Sequence, residues 1–90
     1  MESAKFYDEL RGFLLSIQPD DAGRAGLESL GHDDNLFDLG LVTSFSVIRM
    51  IVFIETLTGC SLDLAEHDIE SFYTMRGLWE LVRTEEAGTR

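Results

Sequence analysis

Between Ser44 and Leu57, apolar residues recur at α-helical spacing on two separate faces, and a small chain has few ways to satisfy that pattern. At about 100° per residue, Val47, Met50, Ile51, Phe53, Ile54 and Leu57 gather on one broad face. Phe45, Ile48 and Val52 fall on the opposite side as a narrow second stripe, flanked by Arg49, Glu55 and Thr56. The spacing predicts a helix over 44–57 that buries the broad face, with Gly59 as its C-terminal stop. The second stripe must also meet something. The chain's own long loop or a second copy is one cover for it; a docked partner protein is the other, and is the reading adopted here.

The remaining helices read from the same periodicity. Phe6, Leu10, Phe13, Leu14 and Ile17 make one stripe on a helix capped by Ser3 and ending before Pro19. Residues 18–43 hold Pro19, Asp20-Asp21, four of the eight glycines and the run His32-Asp33-Asp34-Asn35. Such turn chemistry predicts a long ordered loop, anchored by Leu27, Leu30, Leu36, Phe37 and Leu39. A shorter turn or helix is expected near Asp68–Tyr73. A last helix capped by Thr74 follows, with Met75, Leu78, Trp79 and Val82 inward, before a polar tail through Gly88. The expectation is one all-α domain over 1–90, a small four-helix bundle with a long loop between helices 1 and 2.

Charge narrows the partners. Seventeen acidic against seven basic residues leave a net charge of −10, which repels nucleic-acid phosphates and anionic membrane surfaces. The acid is unevenly placed. Residues 1–43 carry three basic and nine acidic side chains, residues 63–90 three and seven, while 44–62 contain only Arg49 and Glu55. The central helix is a neutral apolar island on an acidic protein. No apolar run reaches the ~20 residues of a membrane span. Cys60 is the one cysteine, and Met1-Glu2-Ser3 lacks a signal-peptide layout, so a reducing cytoplasm is expected.

Ser44 stands where the long loop becomes a helix, beside unpaired backbone N–H groups and the positive end of the helix dipole, a place suited to a phosphodiester. By position alone, Thr43 or Ser44 acting as a helix cap explains it as well. The stretch Leu36-Phe37-Asp38-Leu39-Gly40-Leu41-Val42-Thr43-Ser44-Phe45 resembles the attachment motif of the phosphopantetheine-binding carrier proteins, in which an acidic, glycine-containing loop leads into a modified serine followed by a large apolar residue. The Gly40-to-Ser44 spacing has one residue more than the common Asp-Leu-Gly-x-Asp-Ser form. It is similar to D-alanyl carrier proteins and to the discrete carriers of natural-product assembly lines.

That resemblance implies a right-hand-turned small bundle with phosphopantetheine on Ser44, attached from coenzyme A by a phosphopantetheinyl transferase. It implies a monomeric, non-catalytic carrier that holds a biosynthetic intermediate as a thioester, loaded by an adenylating ligase and served by acyltransferases or other assembly-line enzymes. Polyketide, nonribosomal-peptide or antibiotic biosynthesis is the expected setting. Thr43 stands where the family commonly has Asp, which removes a charged contact to a basic group of the transferase. Arg49 replaces an acid common in fatty-acid carriers, so docking is expected to lean on Phe45, Ile48 and Val52, with Thr43, Arg49 and Glu55 completing the set.

Other chemistries fit less well. A hydrolase needs a base beside Ser44, and only His32 and His67 are available, without a Gly-x-Ser-x-Gly elbow. The acidic run from His32 to Asp38 lacks the order of a calcium loop. Cys60 and two scattered histidines offer no zinc spacing, which leaves Cys60 as a small core residue. Trp79 and Phe6 read as core before pocket. The runner-up is an acidic helical adaptor that uses the second stripe without a prosthetic group.

Overall fold

The computed structural model describes residues 2–88; Met1, Thr89 and Arg90, the ends of the domain expected over 1–90, lie outside the described residues. Helix α1 spans Ser3–Ser16; of the stripe its spacing predicts, Phe6, Leu10 and Leu14 are buried and Phe13 and Ile17 pack partly buried, and Tyr7, outside that stripe, is buried too. Ser3 is the first helical residue and not the cap. Glu2 holds the extended cap position without a side-chain bond, its carbonyl accepting from Phe6 N–H at 3.1 Å.

The expected loop over 18–43 contains a helix, α2, at Asp21–Glu28. Asp20 is extended, and its carboxylate accepts from Gly23 N–H at 3.0 Å, satisfying a donor of the first turn. The other end is closed by a different helix. Arg11 Nη1 of α1 donates to the carbonyls of Leu27 and Leu30 at 2.7 and 3.3 Å, neutralising acceptors that a helix C-terminus leaves open. Leu27 is the residue α2 buries.

From Ser29 the chain runs irregularly to α3 but is tied down. Leu36 N–H donates to Tyr73 O at 2.7 Å and Arg76 N–H to His32 O at 3.0 Å, so the segment is stitched to the start of the last helix. Leu41 and Val42 N–H both donate to Leu36 O, closing a turn through Gly40, whose φ of +74° disfavours any side chain. Leu27, Leu30 and Leu36 anchor the segment as expected, and Phe37 packs partly buried. Leu39 does not, because this turn carries it outward, 55% exposed.

Helix α3 spans Ser46–Thr58 and ends where expected, at Gly59 with φ +76° and its N–H on Glu55 O at 2.8 Å. Two 3-10 turns, Leu64–Glu66 and Ile69–Phe72, lead to α4 at Met75–Gly88. Thr74 Oγ1 accepts from Gly77 N–H at 2.9 Å, the predicted cap. The helix continues through Gly88, where a polar tail was the expectation, since no proline interrupts that stretch.

Among the described residues the fold is all-helical, four α-helices around one core, without strands. Phe6, Leu10, Met50, Ile54, Phe72, Met75, Leu78 and Val82 are fully enclosed. Trp79 packs on Phe6 with ring centroids 5.2 Å apart, and Phe13 stacks on Phe53 at 4.7 Å, which joins α1 to α3. Truncating a ring such as Phe72 to Ala costs about 3–5 kcal/mol in a core of this kind. No helix among the described residues is long and apolar enough to cross a membrane.

Candidate functional site

The start of α3 is organised by Thr43. Its carbonyl accepts from Val47 N–H at 2.9 Å, the first bond of the helix, although regular helix is reached only at Ser46. Its Oγ1 accepts from the N–H groups of Phe45 and Ser46 at 3.2 and 3.3 Å, and its own N–H donates to Ser46 Oγ at 2.8 Å. This is a reciprocal capping box with serine in place of the usual Glu or Gln.

The box leaves Ser44 unused. Its side chain is exposed at the first position of the turn, and neither its hydroxyl nor its N–H has a hydrogen-bond partner among the described residues. Of the two residues the sequence allowed as the cap, Thr43 does the capping. Ser44 Oγ is free to be modified without loss of a structural bond. Ser46, two residues on, is spent in the box.

Ser44 borders an open cleft of about 360 Å³ formed with Asn35, Phe37, Asp38, Val47, Ile69 and Tyr73. Its apolar floor pairs the Phe37 and Tyr73 rings edge to face at 5.3 Å, and Ile69 is half exposed beside them. Asn35 Oδ1 accepts from Phe37 and Asp38 N–H at 2.9 and 3.0 Å, which shapes the loop wall and leaves the amide NH₂ as a donor.

On the outward side of α3, Phe45 is 89% exposed, and Ile48 and Val52 are each 53% exposed. The broad face behaves oppositely, with Val47, Met50, Ile51 and Ile54 buried and Phe53 and Leu57 packed against the core. No segment among the described residues lies over the second stripe. It continues into a groove with Leu62 and Leu64. Arg49 is exposed beside it, whereas Glu55 Oε2 accepts from Leu62 N–H at 2.8 Å and holds the groove's far wall.

The histidines sit elsewhere in the packing. His32 stacks on Tyr7 at 3.7 Å, and His67 Nε2 lies buried 3.6 Å from Glu85 Oε2, with its ring near Phe72. Neither borders the Ser44 cleft. Cys60 is partly buried against the core, near Val82 O. Burial raises the Tyr7 hydroxyl pKa above its ordinary value, a shift that Arg76 partly opposes and Glu80 and Asp33 reinforce. Arg76 Nε donates to Asp33 Oδ1 at 2.6 Å, an exposed pair that raises the guanidinium's pKa further.

Two of the helix caps have a signal in the sequence itself. Asp20 stands three residues before Gly23 ahead of a helix-compatible run, and the Thr43-x-x-Ser46 pattern is a capping box once serine is allowed at its last position. Compared with known proteins, the chain matches no family model and no curated protein.

Proposed function

We propose that this chain is a stand-alone acyl or aminoacyl carrier protein, a small four-helix bundle of the acyl-carrier type whose Ser44 bears phosphopantetheine. One observation carries the reading: Ser44 Oγ is exposed and unbonded at the helix start while its neighbour Thr43 does the capping. A serine needed only as a cap is not left idle. The chain's residues suit the group. Ser44 N–H and the α3 dipole favour a phosphodiester, and the cleft floored by Phe37, Val47, Ile69 and Tyr73 offers the arm an apolar bed.

In this reading a phosphopantetheinyl transferase forms the bond from Ser44 Oγ to phosphorus, adenosine bisphosphate leaves from coenzyme A, and the serine proton passes to a base of the transferase. The arm's terminal thiol supplies the thioester that holds the cargo. The chain's own part is to present the serine and to dock partners, without catalysing a reaction. Phe45, Ile48 and Val52 form the docking face, Thr43 and Arg49 sit at its rim, and Glu55 supports it by fixing Leu62. The partners are the transferase, an adenylating ligase and further assembly-line enzymes in the cytoplasm, in polyketide or nonribosomal-peptide biosynthesis.

The exposed stripe also favours a second reading, an adaptor that docks through α3 without a prosthetic group. Incubation with coenzyme A and a broad-specificity transferase, followed by intact mass, separates the two. A single phosphopantetheine adduct that Ser44→Ala abolishes supports the carrier. No adduct with several transferases, or an adduct persisting in Ser44→Ala, rejects it.

A further inference from the structure

The segment Asp38–Ser44 borders two clefts, and the one away from Ser44 is built differently. It is an open cleft of about 460 Å³, bordered by the Gln18-Pro19 segment that follows α1, by α2 and by Leu39, Gly40 and Leu41. Its polar centre is Gln18. That side chain is only 8% exposed, and its Nε2 donates to Leu14 O at 2.9 Å and Leu41 O at 3.0 Å. Both amide donors are used, so the direction of the carbonyl Oε1 is set. It faces Gly23, where a Cβ would stand 2.5 Å from it.

Gln18 Oε1 has no donor among the described residues, and the residue lines the cleft. Two carboxylates border the same space. Asp20 spends one oxygen on Gly23 N–H and Asp34 one on Gly31 N–H, and each keeps the other. The lining thus presents acceptors, and no Lys or Arg among the described residues borders it. A cationic donor is the complement. The α2 dipole places about half a positive charge here, less than the full negative charges of Asp20 and Asp21 beside it.

The walls select the rest of the ligand. Pro19, Leu30 and Leu41 offer apolar surface to an alkyl stem, and Leu39 stands exposed at the rim, where only something larger than the cleft's contents can cover it. We propose that this cleft receives an arginine or lysine side chain from a partner protein, with Leu39 as the adjoining apolar contact. The site is independent of any group on Ser44, although the shared loop lets one partner engage both. The net charge of −10 steers such a partner inward.

The test is a titration of the ¹⁵N-labelled full chain, followed by NMR, with capped Leu-Arg-Leu and Leu-Lys-Leu peptides and with Leu-citrulline-Leu, a neutral isostere of the first. Support is saturable shifts of the Gln18 side-chain amide and of Gly23, Gly26 and Gly40, with the citrulline peptide at least about tenfold weaker. Asp20→Asn with Asp34→Asn keeps both turn acceptors and should weaken the cationic peptides about tenfold. If that double variant does not fold, the comparison of peptides on the unaltered chain decides. Equal citrulline binding, unsaturable shifts spread over the acidic surface, or binding at Ile48 and Val52 instead overturns the proposal. Butylguanidine binding as tightly as the peptides would do the same, assigning the cleft to a small amine.

Discussion

Thr43 and Ser46 cap each other: the Thr43 N–H donates to Ser46 Oγ at 2.8 Å while Thr43 Oγ1 accepts from the Ser46 N–H at 3.3 Å. The exchange encloses Ser44 in sequence without engaging its hydroxyl. Thr43→Ala should therefore cost about 1 kcal/mol, or roughly 4–8 °C in Tm for a domain this size, and Thr43→Asp should retain most of it. Ser44→Ala should lie within about 0.5 kcal/mol of the parent. Thermal unfolding by circular dichroism checks all three; a larger loss for Ser44→Ala than for Thr43→Ala would contradict the assignment of the cap.

Ile48 and Ile54 sit on opposite faces of one helix, 53% and 0% exposed. Ile54→Ala should lose about 2–5 kcal/mol of stability, and Ile48→Ala little. If α3 docks partner enzymes as proposed, the order should reverse in transfer, with Ile48→Ala or Val52→Ala costing about 1–2 kcal/mol. Arg49→Glu should act mainly on the association rate and its salt dependence. Melting curves beside transfer rates per folded molecule check this, and an Ile48→Ala that unfolds while transferring normally would mark the second stripe as core.

Tyr7 should make the fold sensitive to alkali. Its hydroxyl pKa is raised in the folded state, chiefly by burial, above the usual value of about 10. The protonated form is thus favoured by folding. That contribution is complete below the unfolded pKa and is lost as pH rises through the folded one. Urea midpoints measured from pH 8 to 11 should fall at the alkaline end, and Tyr7→Phe, which keeps a ring against His32, should flatten the fall. An unchanged slope in Tyr7→Phe would place the effect on other groups.

On the proposed carrier function, loading reports the class of cargo. If the Gly40-to-Ser44 spacing marks a carrier fed by an adenylating enzyme, the pantetheinylated protein should accept an aminoacyl group from an ATP-dependent ligase faster than a malonyl group from a fatty-acid transacylase. Parallel single-turnover loading followed by mass spectrometry measures both. Malonyl loading at an equal or higher rate speaks against the aminoacyl assignment.

How much of this was legible in the residues divides along range. The α1 stripe, the two faces of α3, the Gly59 stop and the Thr74 cap were all readable, because each rests on 3.6-residue periodicity or on a bond within one turn. Helix α2 was not. Eight residues with two glycines and one buried leucine lack the stripe that announces a helix, and its C-terminal carbonyls are closed by Arg11, sixteen and nineteen positions away. The outward turn of Leu39 likewise follows from bonds between Leu36 and the 41–42 segment and between Leu36 and Tyr73. Sequence by itself placed Ser44 at the head of a doubly apolar helix, since both features are local. The Thr43 cap is local as well, a Thr43-x-x-Ser46 pattern closed within one turn. Only the tertiary structure decided that nothing described covers Phe45, Ile48 and Val52, because exposure depends on where the rest of the chain packs.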